Sequence, residues 1–174
     1  MKPLTEFTLP IIGLKMGLSE FDFSIGSSFF SQFEASPLKN GDVDVHLTLD
    51  KHSDMLVLDF EISGLVETVC DRCLAPIDLP IDDERQLIVK YSEEKVVDED
   101  DEIVFLHPDL SDWNIAKYVY EFVILAIPMI QVIEDCETQT DPPCDFELLK
   151  RISPDDTEPT TNPFLDAFTG FQNN

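Results

Sequence analysis

The amino-acid sequence predicts an α+β fold, in which an antiparallel β-sheet or partly closed barrel packs against one long buried helix and short additional helices. Apolar and polar residues alternate through residues 42–49 and again through residues 56–62, which is the period of half-buried strands. Residues 112–127 instead repeat their polar positions at spacings of three and four, as a helix does. A content of 43% hydrophobic residues, with thirteen phenylalanines, is that of a folded domain rather than a disordered chain.

The N-terminal region is expected to contribute a strand and a short helix. Residues 21–25 place three apolar side chains on one face of a strand. The segment 27–34 combines serines suited to cap a helix with paired aromatic residues, as a short helix entering a core would. Pro37 and Asn40-Gly41 then provide the residues of a turn.

The following region predicts an antiparallel hairpin and two further strands. Alternation over residues 43–49 is followed by a polar turn at residues 51–54, after which the alternation resumes until Gly64. Residues 77–81 and 86–91 supply the two further candidates. We therefore expect an antiparallel sheet of four or more strands.

The clearest helix signal begins after Ser111, with Asp112 in the first turn, where the helix dipole favours a negative charge. We expect this helix to extend to about Ile127, because Pro128 disfavours the helical conformation of the residue before it. Its few polar residues leave apolar side chains over most of the circumference. The helix is therefore predicted to be buried on more than one side.

Two segments have the composition of solvated or disordered chain. Residues 92–102 are mostly acidic and are expected to form a solvated loop, whereas residues 153–162 are rich in Pro, Thr and Asp and are expected to be a linker. The tail beyond the linker could form one face of a short helix that docks on this domain or on a partner. Its apolar residues are Phe164, Leu165, Phe168 and Phe171. We divide the chain into a single α+β domain, residues 1–150, and a flexible linker with an aromatic C-terminal tail, residues 151–174.

The charge of the chain restricts its partners. There are 36 acidic and 11 basic residues, which leaves a formal net charge of -25. Phosphate backbones are bound through Lys and Arg, so direct RNA binding is not expected over most of the surface. A negative field instead steers basic proteins, such as ribosomal proteins, toward the chain. The alternative is that the charge serves solubility alone.

Neither export nor membrane insertion is indicated. The N-terminal residues lack the basic start and apolar stretch of a signal peptide. The most apolar stretch, residues 118–130, contains Glu121 and Pro128 and is too short to span about 30 Å of hydrocarbon as a helix. The chain is expected to be cytoplasmic and without membrane contact.

The four cysteines are candidates for a structural zinc site. Cys70 and Cys73 form a C-x-x-C knuckle between two predicted strands, and such a turn can present two thiolates to one zinc ion at about 2.3 Å. Cys136 and Cys144 flank Asp141-Pro142-Pro143, an extended turn, so the four thiolates could converge if the fold brings the two turns together. The spacing of the late pair is wider than that of a zinc ribbon. Buried thiols without metal are the simpler alternative.

Catalytic signals are weak throughout the sequence. A redox role for the knuckle would place its first cysteine at a helix N-terminus, whereas the run before Cys70 has the pattern of a strand. The histidines are dispersed and expected at the surface, and they are His46, His52 and His107. No nucleophile elbow, phosphate-binding glycine loop or metalloprotease motif occurs. We therefore predict no catalytic or cofactor-binding residue and do not expect an enzyme.

The run Cys70-Asp71-Arg72-Cys73-Leu74 resembles the Cys-Asp-Arg-Cys-Leu signature of the YceD family of bacterial and plastid proteins. The likeness continues through the acidic loop, the helix that ends in Ala-Ile-Pro, and the late cysteine pair. The opening segment, with Gly13-Leu14-Lys15-Met16-Gly17 and Phe29-Phe30, resembles the Bacteroidetes branch of that family. The resemblance covers roughly residues 10–150.

The resemblance implies a non-enzymatic factor needed for the accumulation of large-subunit ribosomal RNA during ribosome assembly. Family members tend to be encoded beside a large-subunit ribosomal protein, which suits an acidic factor whose partner is a basic ribosomal protein or an assembly intermediate. The family's zinc site would carry over to Cys70, Cys73, Cys136 and Cys144. Asp71 and Arg72 would either brace the knuckle or contact a partner. Competing hypotheses are a thiol-disulfide or metal-dependent activity at Cys70 and Cys73, and a structural zinc module of an unrelated complex.

Overall fold

The structure, a computed structural model, describes residues 4–93, 103–133 and 142–152 of the 174-residue chain. After a 3₁₀ turn at Leu4–Phe7, the elements in chain order are β1 (Thr8–Leu9), β2 (Gly17–Ile25), α1 (Ser27–Phe30), β3 (Gly41–Lys51), β4 (Met55–Val69), β5 (Pro76–Tyr91), β6 (Ile103–Leu106), β7 (Trp113–Asn114), α2 (Ala116–Leu125) and α3 (Phe146–Ile152). The predicted linker and aromatic tail, from residue 153 onward, lie outside the described residues, as do residues 94–102 of the predicted acidic loop.

The main sheet has five strands in the order β2-β3-β4-β5-β6. Strands β2 to β5 are antiparallel, which confirms the prediction, and β6 is parallel to β5. The β4–β5 pairing extends without interruption from Met55↔Lys90 to Val69↔Pro76, so residues 70–75 form the tip of a long hairpin. Strands β2 and β6 do not pair with each other in the described part of the chain. What that part forms is an open sheet with β2 and β6 at its edges, which is the first of the two predicted alternatives, the sheet rather than the partly closed barrel.

The two faces of the sheet differ because side chains alternate along each strand. One face, the inner face, carries the core residues of β3 to β5, which are Val43, Val45, Leu47, Leu49, Leu56, Leu58, Phe60, Ile62, Val66, Ile77, Leu79, Ile81, Leu87 and Val89. The opposite side chains of β2 to β5 are mostly polar, and we call this side the open face. The apolar residues of the alternating pattern that predicted the strands therefore lie on the inner face, and the polar residues lie on the open face.

Helix α2 and a group of aromatic rings cover the inner face. Phe122 of the helix meets Phe60 of β4 edge to face, with 5.1 Å between ring centroids. Tyr120 stacks on Phe33 at 3.9 Å. Such aromatic pairs add to the free energy gained by burial alone.

The predicted bounds of this helix were wrong at its start. Trp113 and Asn114 pair with Leu9 and Thr8 as strands β7 and β1, so the helix begins at Ala116 rather than Asp112. The Oδ1 of Asn114, rather than Ser111, accepts the N–H of Ala116, at 3.1 Å.

The predicted burial of α2 also needs correction. Fully buried side chains occur at Ala116, Val119 and Val123, which lie on one stripe of the helix at spacings of three and four. The helix has ten residues and is therefore shorter than expected and buried along one side. The serine cap predicted for α1 is also absent, since Gly26 occupies the cap position without a side-chain bond.

Gly64 allows β3 and β4 to approach closely. It has a φ of +154°, and a Cβ built there would lie 2.7 Å from the Cα of Val43 and closer still to the carbonyl oxygen of Asp42. No side chain can occupy that space without moving the neighbouring strand.

Within the described ranges, β6 pairs with Ile88–Tyr91, and the outer edge of β5 extends well past it. Pro76 and Pro80 lie on this edge. Farther along, Arg85 occupies a register position of the inner face and contacts Asp83 at 2.7 Å through both Nε and a terminal guanidinium nitrogen. Prolines and inward charges are features of protected sheet edges.

Candidate functional site

The cysteine knuckle lies at the tip of the β4–β5 hairpin. The Cys70 N–H donates to the Ala75 carbonyl at 2.8 Å, and the Leu74 N–H donates to the Cys70 carbonyl at 2.8 Å. Leu74 adopts a left-handed conformation, with φ of 58°, which closes the turn. Cys70 and Cys73 are free thiols, each only 2% exposed. The turn therefore directs both sulfurs inward.

Backbone N–H groups converge on the sulfur of Cys73. Burial of this thiol raises its pKa, but hydrogen bonds from the backbone of Ala75 and Asp145 and from the Cys70 side chain outweigh burial, so its pKa is lowered from the usual 9.0. The nearby Asp145 charge opposes this shift. Donors directed at sulfur stabilise the thiolate, which is the form that binds metals.

Asp145 brings the late segment of the chain to the knuckle. Its Oδ1 accepts the N–H groups of Glu147 and Leu148, both at 3.0 Å, and so caps α3. Its own N–H faces Cys73. The preceding residue, Cys144, packs against the core and is part of a disulfide.

The structure describes three of the four cysteines predicted to bind zinc, which are Cys70, Cys73 and Cys144. The structure places Cys70 and Cys73 on one turn and brings the Cys144–Asp145 segment to it, while Cys136 lies outside the described residues. Within the described ranges, no three metal-binding side chains are grouped closely enough to hold an ion.

Asp71 joins the knuckle to the segment that follows α2. Its N–H donates to the Gln131 carbonyl at 2.9 Å, and its Oδ2 accepts the Gln131 N–H at 2.7 Å. The hydroxyl of Thr68 contacts the side-chain oxygen of Gln131. These contacts have the form of a brace. Arg72 is exposed on the same turn.

Two clefts of about 520 Å³ each lie at this end of the sheet, and the first of them adjoins the knuckle. Both are lined by Asn40 and Glu67, whose side chains are joined by a hydrogen bond of 2.7 Å. The first cleft also contains Asp71 and the exposed Lys39, and the second contains Asp42 and Asp78. The clefts are therefore neighbours that share this hydrogen-bonded pair.

The open face is strongly acidic. Its exposed carboxylates are Glu20, Asp22, Asp42, Asp44, Asp59, Glu61, Glu67, Asp78, Asp82 and Glu84. Its basic side chains on the described strands are His46 and Lys90. The Nδ1 of His46 lies 2.6 Å from the Oδ1 of Asp22. That hydrogen bond raises the pKa of His46, desolvation opposes it, and the charges of Asp22, Glu20 and Glu61 raise it further.

The remaining histidines each lie beside an aspartate at the surface. His52 lies 3.1 Å from Asp50, and His107 lies 3.8 Å from Asp109. All three histidine side chains are at least one-third exposed, as the sequence predicted.

No helix in the described ranges has the length and apolar character needed to cross a bilayer.

Sequence reasoning missed Gln131 and Asp145, the two residues that hold distant segments against the knuckle. Asp145 carried a usable signal, since an aspartate directly before a short apolar segment is a helix N-cap pattern. Gln131 lies in a segment without periodicity. Only the folded structure reveals its role.

Comparison with known proteins identifies one family. Residues 58–168 match the family model described as large ribosomal RNA subunit accumulation protein YceD. The matched region begins within β4 and includes the knuckle, α2 and α3. No curated protein and no solved structure matches the chain.

Proposed function

The chain belongs to the YceD family of large ribosomal RNA subunit accumulation proteins, and from this premise we propose that it is a non-enzymatic factor that acts by binding a basic ribosomal protein or an assembly intermediate that contains one. The family match carries the proposal, because the family's role is the accumulation of large-subunit RNA. The charge of the chain suggests the mode of action. A net charge of -25 repels phosphate and attracts cationic proteins.

The distribution of charge supports binding rather than solubility alone. Carboxylates are concentrated on the open face and in the two clefts, while the inner face is filled by the core. A basic client would meet a surface whose potential is complementary to its own, which speeds association and selects against acidic competitors.

We also propose that Cys70, Cys73, Cys136 and Cys144 hold a structural zinc ion when all four thiols are reduced. Two observations support this set: the knuckle sulfurs are buried on one turn, and the residue after Cys144 donates its N–H to Cys73. Because Cys144 is part of a disulfide in this structure, zinc binding requires its reduction. The ion would tie the hairpin tip to the segment before α3 and would supply no reaction chemistry.

The thiol-disulfide alternative receives no support from the geometry. Cys70 and Cys73 lie at the tip of a β-hairpin and are 2% exposed. A redox pair of the thioredoxin type has its first cysteine at a helix N-terminus and open to substrate.

Arg72 and Asp71 remain candidates for partner contact, with the bracing contacts of Asp71 favouring the structural role.

The experiment is affinity capture from cell lysate at low and high salt, combined with depletion of the protein in cells. We expect a basic ribosomal protein to be captured at low salt and reduced at high salt, because interactions between exposed charges are screened. Depletion should lower large-subunit RNA relative to small-subunit RNA. Capture of no ribosomal component at either salt would refute the binding role, and an unchanged RNA ratio would refute the cellular role.

A further inference from the structure

The carboxylates of the open face repeat at the period of an extended chain. Each of the strands β2 to β5 carries two exposed carboxylates two residues apart, and these pairs are Glu20 and Asp22, Asp42 and Asp44, Asp59 and Glu61, and Asp82 and Glu84. Side chains two residues apart on a strand are separated by roughly 6.5–7 Å. A peptide in extended conformation presents every second side chain at the same spacing. An extended peptide that runs along one of these strands would therefore place two consecutive cations over the carboxylate pair of that strand.

Two like-charged pairs on this face lie directly opposite each other. Glu61 is the cross-strand neighbour of Glu84, and Glu67 is the cross-strand neighbour of Asp78. Like charges in these positions destabilise a sheet. None of the four forms an ion pair with a basic side chain in the described residues. Each opposed pair therefore offers two carboxylates to one cationic side chain of a partner.

The clefts combine carboxylates with apolar surface. Val69 and Pro76 line the first cleft and Leu65 lines the second. Leu65 is 48% exposed and Val69 is 50% exposed, although both lie within a paired strand. Arg and Lys side chains bury their methylene stems on such apolar surface while their charged ends reach carboxylates. A bare metal ion or a phosphate would gain nothing from the apolar part.

We propose that the open face, ending in the two clefts, binds an extended arginine- and lysine-rich segment of a partner protein. This inference rests on the proposed function, because it names the surface and the kind of segment by which a basic client is recognised. Glu67 and Asp78 are the central contacts, since they are opposite each other and line the cleft that also contains Asp42. The planar guanidinium of arginine suits such carboxylate pairs better than the ammonium of lysine.

The test uses a fluorescently labelled peptide of about twelve residues with arginine at every second position, and the full-length protein. The variant Glu67→Gln with Asp78→Asn removes two negative charges from the cleft. The matched control, Glu6→Gln with Glu34→Gln, removes two exposed charges that lie outside the open face. We expect the cleft variant to bind the peptide about tenfold more weakly and the control to change affinity by less than about twofold.

Two further measurements separate this inference from its alternatives. Amide resonances of the open-face strands should shift on peptide addition, and thermal unfolding should show that the cleft variant is no less stable than the wild type. Equal weakening by both variants, or no binding to the wild type, would overturn the inference. In lysate capture, retention of the ribosomal client by the cleft variant at wild-type levels would overturn the surface assignment while leaving the proposed function standing.

Discussion

The backbone N–H of Asp145 donates a hydrogen bond to the sulfur of Cys73. This contact joins the start of α3 to the tip of the β4–β5 hairpin, two parts of the chain that are far apart in sequence. Because Asp145 also caps α3, the helix and the knuckle are coupled. Packing or a metal ion that holds the cysteines in place therefore also holds α3 in place.

Zinc content tests the cysteine set. Protein purified under reducing conditions should contain about one zinc ion per chain, since four thiolates complete a tetrahedral structural site. Elemental analysis measures this directly. Cys73→Ser should abolish stoichiometric binding, and His107→Gln, whose ring is remote from any cysteine in the described residues, should not. If the reduced wild-type protein contains no zinc, the zinc site is refuted and the cysteines serve only as buried core residues.

Removal of the Asp71 side chain should weaken the attachment of the segment that contains Gln131. We expect Asp71→Ala to lower the free energy of unfolding by about 1–2 kcal/mol, because a charged acceptor is lost from a backbone N–H. Urea denaturation measures the change. Asp82→Ala is the control, an exposed carboxylate on the same sheet, and should change stability by less than about 0.5 kcal/mol. Equal effects at both positions would contradict the bracing role.

Any side chain at Gly64 should force β3 and β4 apart. Gly64→Ala is expected to cost about 3 kcal/mol, at the upper end of overpacking effects, because its Cβ would meet backbone atoms rather than a flexible side chain. The control is Gly26→Ala, where the nearest heavy atom to the new Cβ is 3.8 Å away, and we expect a change below about 1 kcal/mol. Chemical denaturation of both variants tests the comparison.

The His46–Asp22 contact should stabilise the protein more at acidic pH. The folded-state pKa of His46 is raised above 6.5, so the contribution is present below that pH and is lost as the pH rises through the folded-state pKa. Asp22→Asn should therefore lower the melting temperature relative to wild type at mildly acidic pH but not at pH near 8. Asp82→Asn is the control. An NMR titration midpoint for His46 at or below 6.5 would contradict this assignment.

Local periodicity predicted the sheet well and the helix less well. The alternating residues of β3 and β4 are paired on both sides, so their pattern and their environment agree. The start of α2 could not be predicted from the neighbouring sequence, because Trp113 and Asn114 pair with a strand from the N-terminal region. A long-range pairing there overrides the local helix signal of Ser111 and Asp112.

The candidate site was predictable only in its local part. The C-x-x-C spacing identified Cys70 and Cys73 as one turn, which the structure confirms. The contacts of Gln131 and Asp145 with that turn depend on tertiary packing, so no periodic sequence pattern predicts them. The acidic composition was evident from the start, but its concentration on one face follows from the strand register.

In the described residues, the outer edge of β5 before Ile88 has no strand partner, and it carries features that oppose strand addition by another copy. An unpaired edge of this length would ordinarily invite strand addition by another copy, leading to polymers. Pro76 and Pro80 remove backbone donors there, and the Asp83–Arg85 pair would have to be desolvated by any incoming strand. An incoming strand would therefore find fewer backbone donors on this edge and would have to strip water from a paired charge.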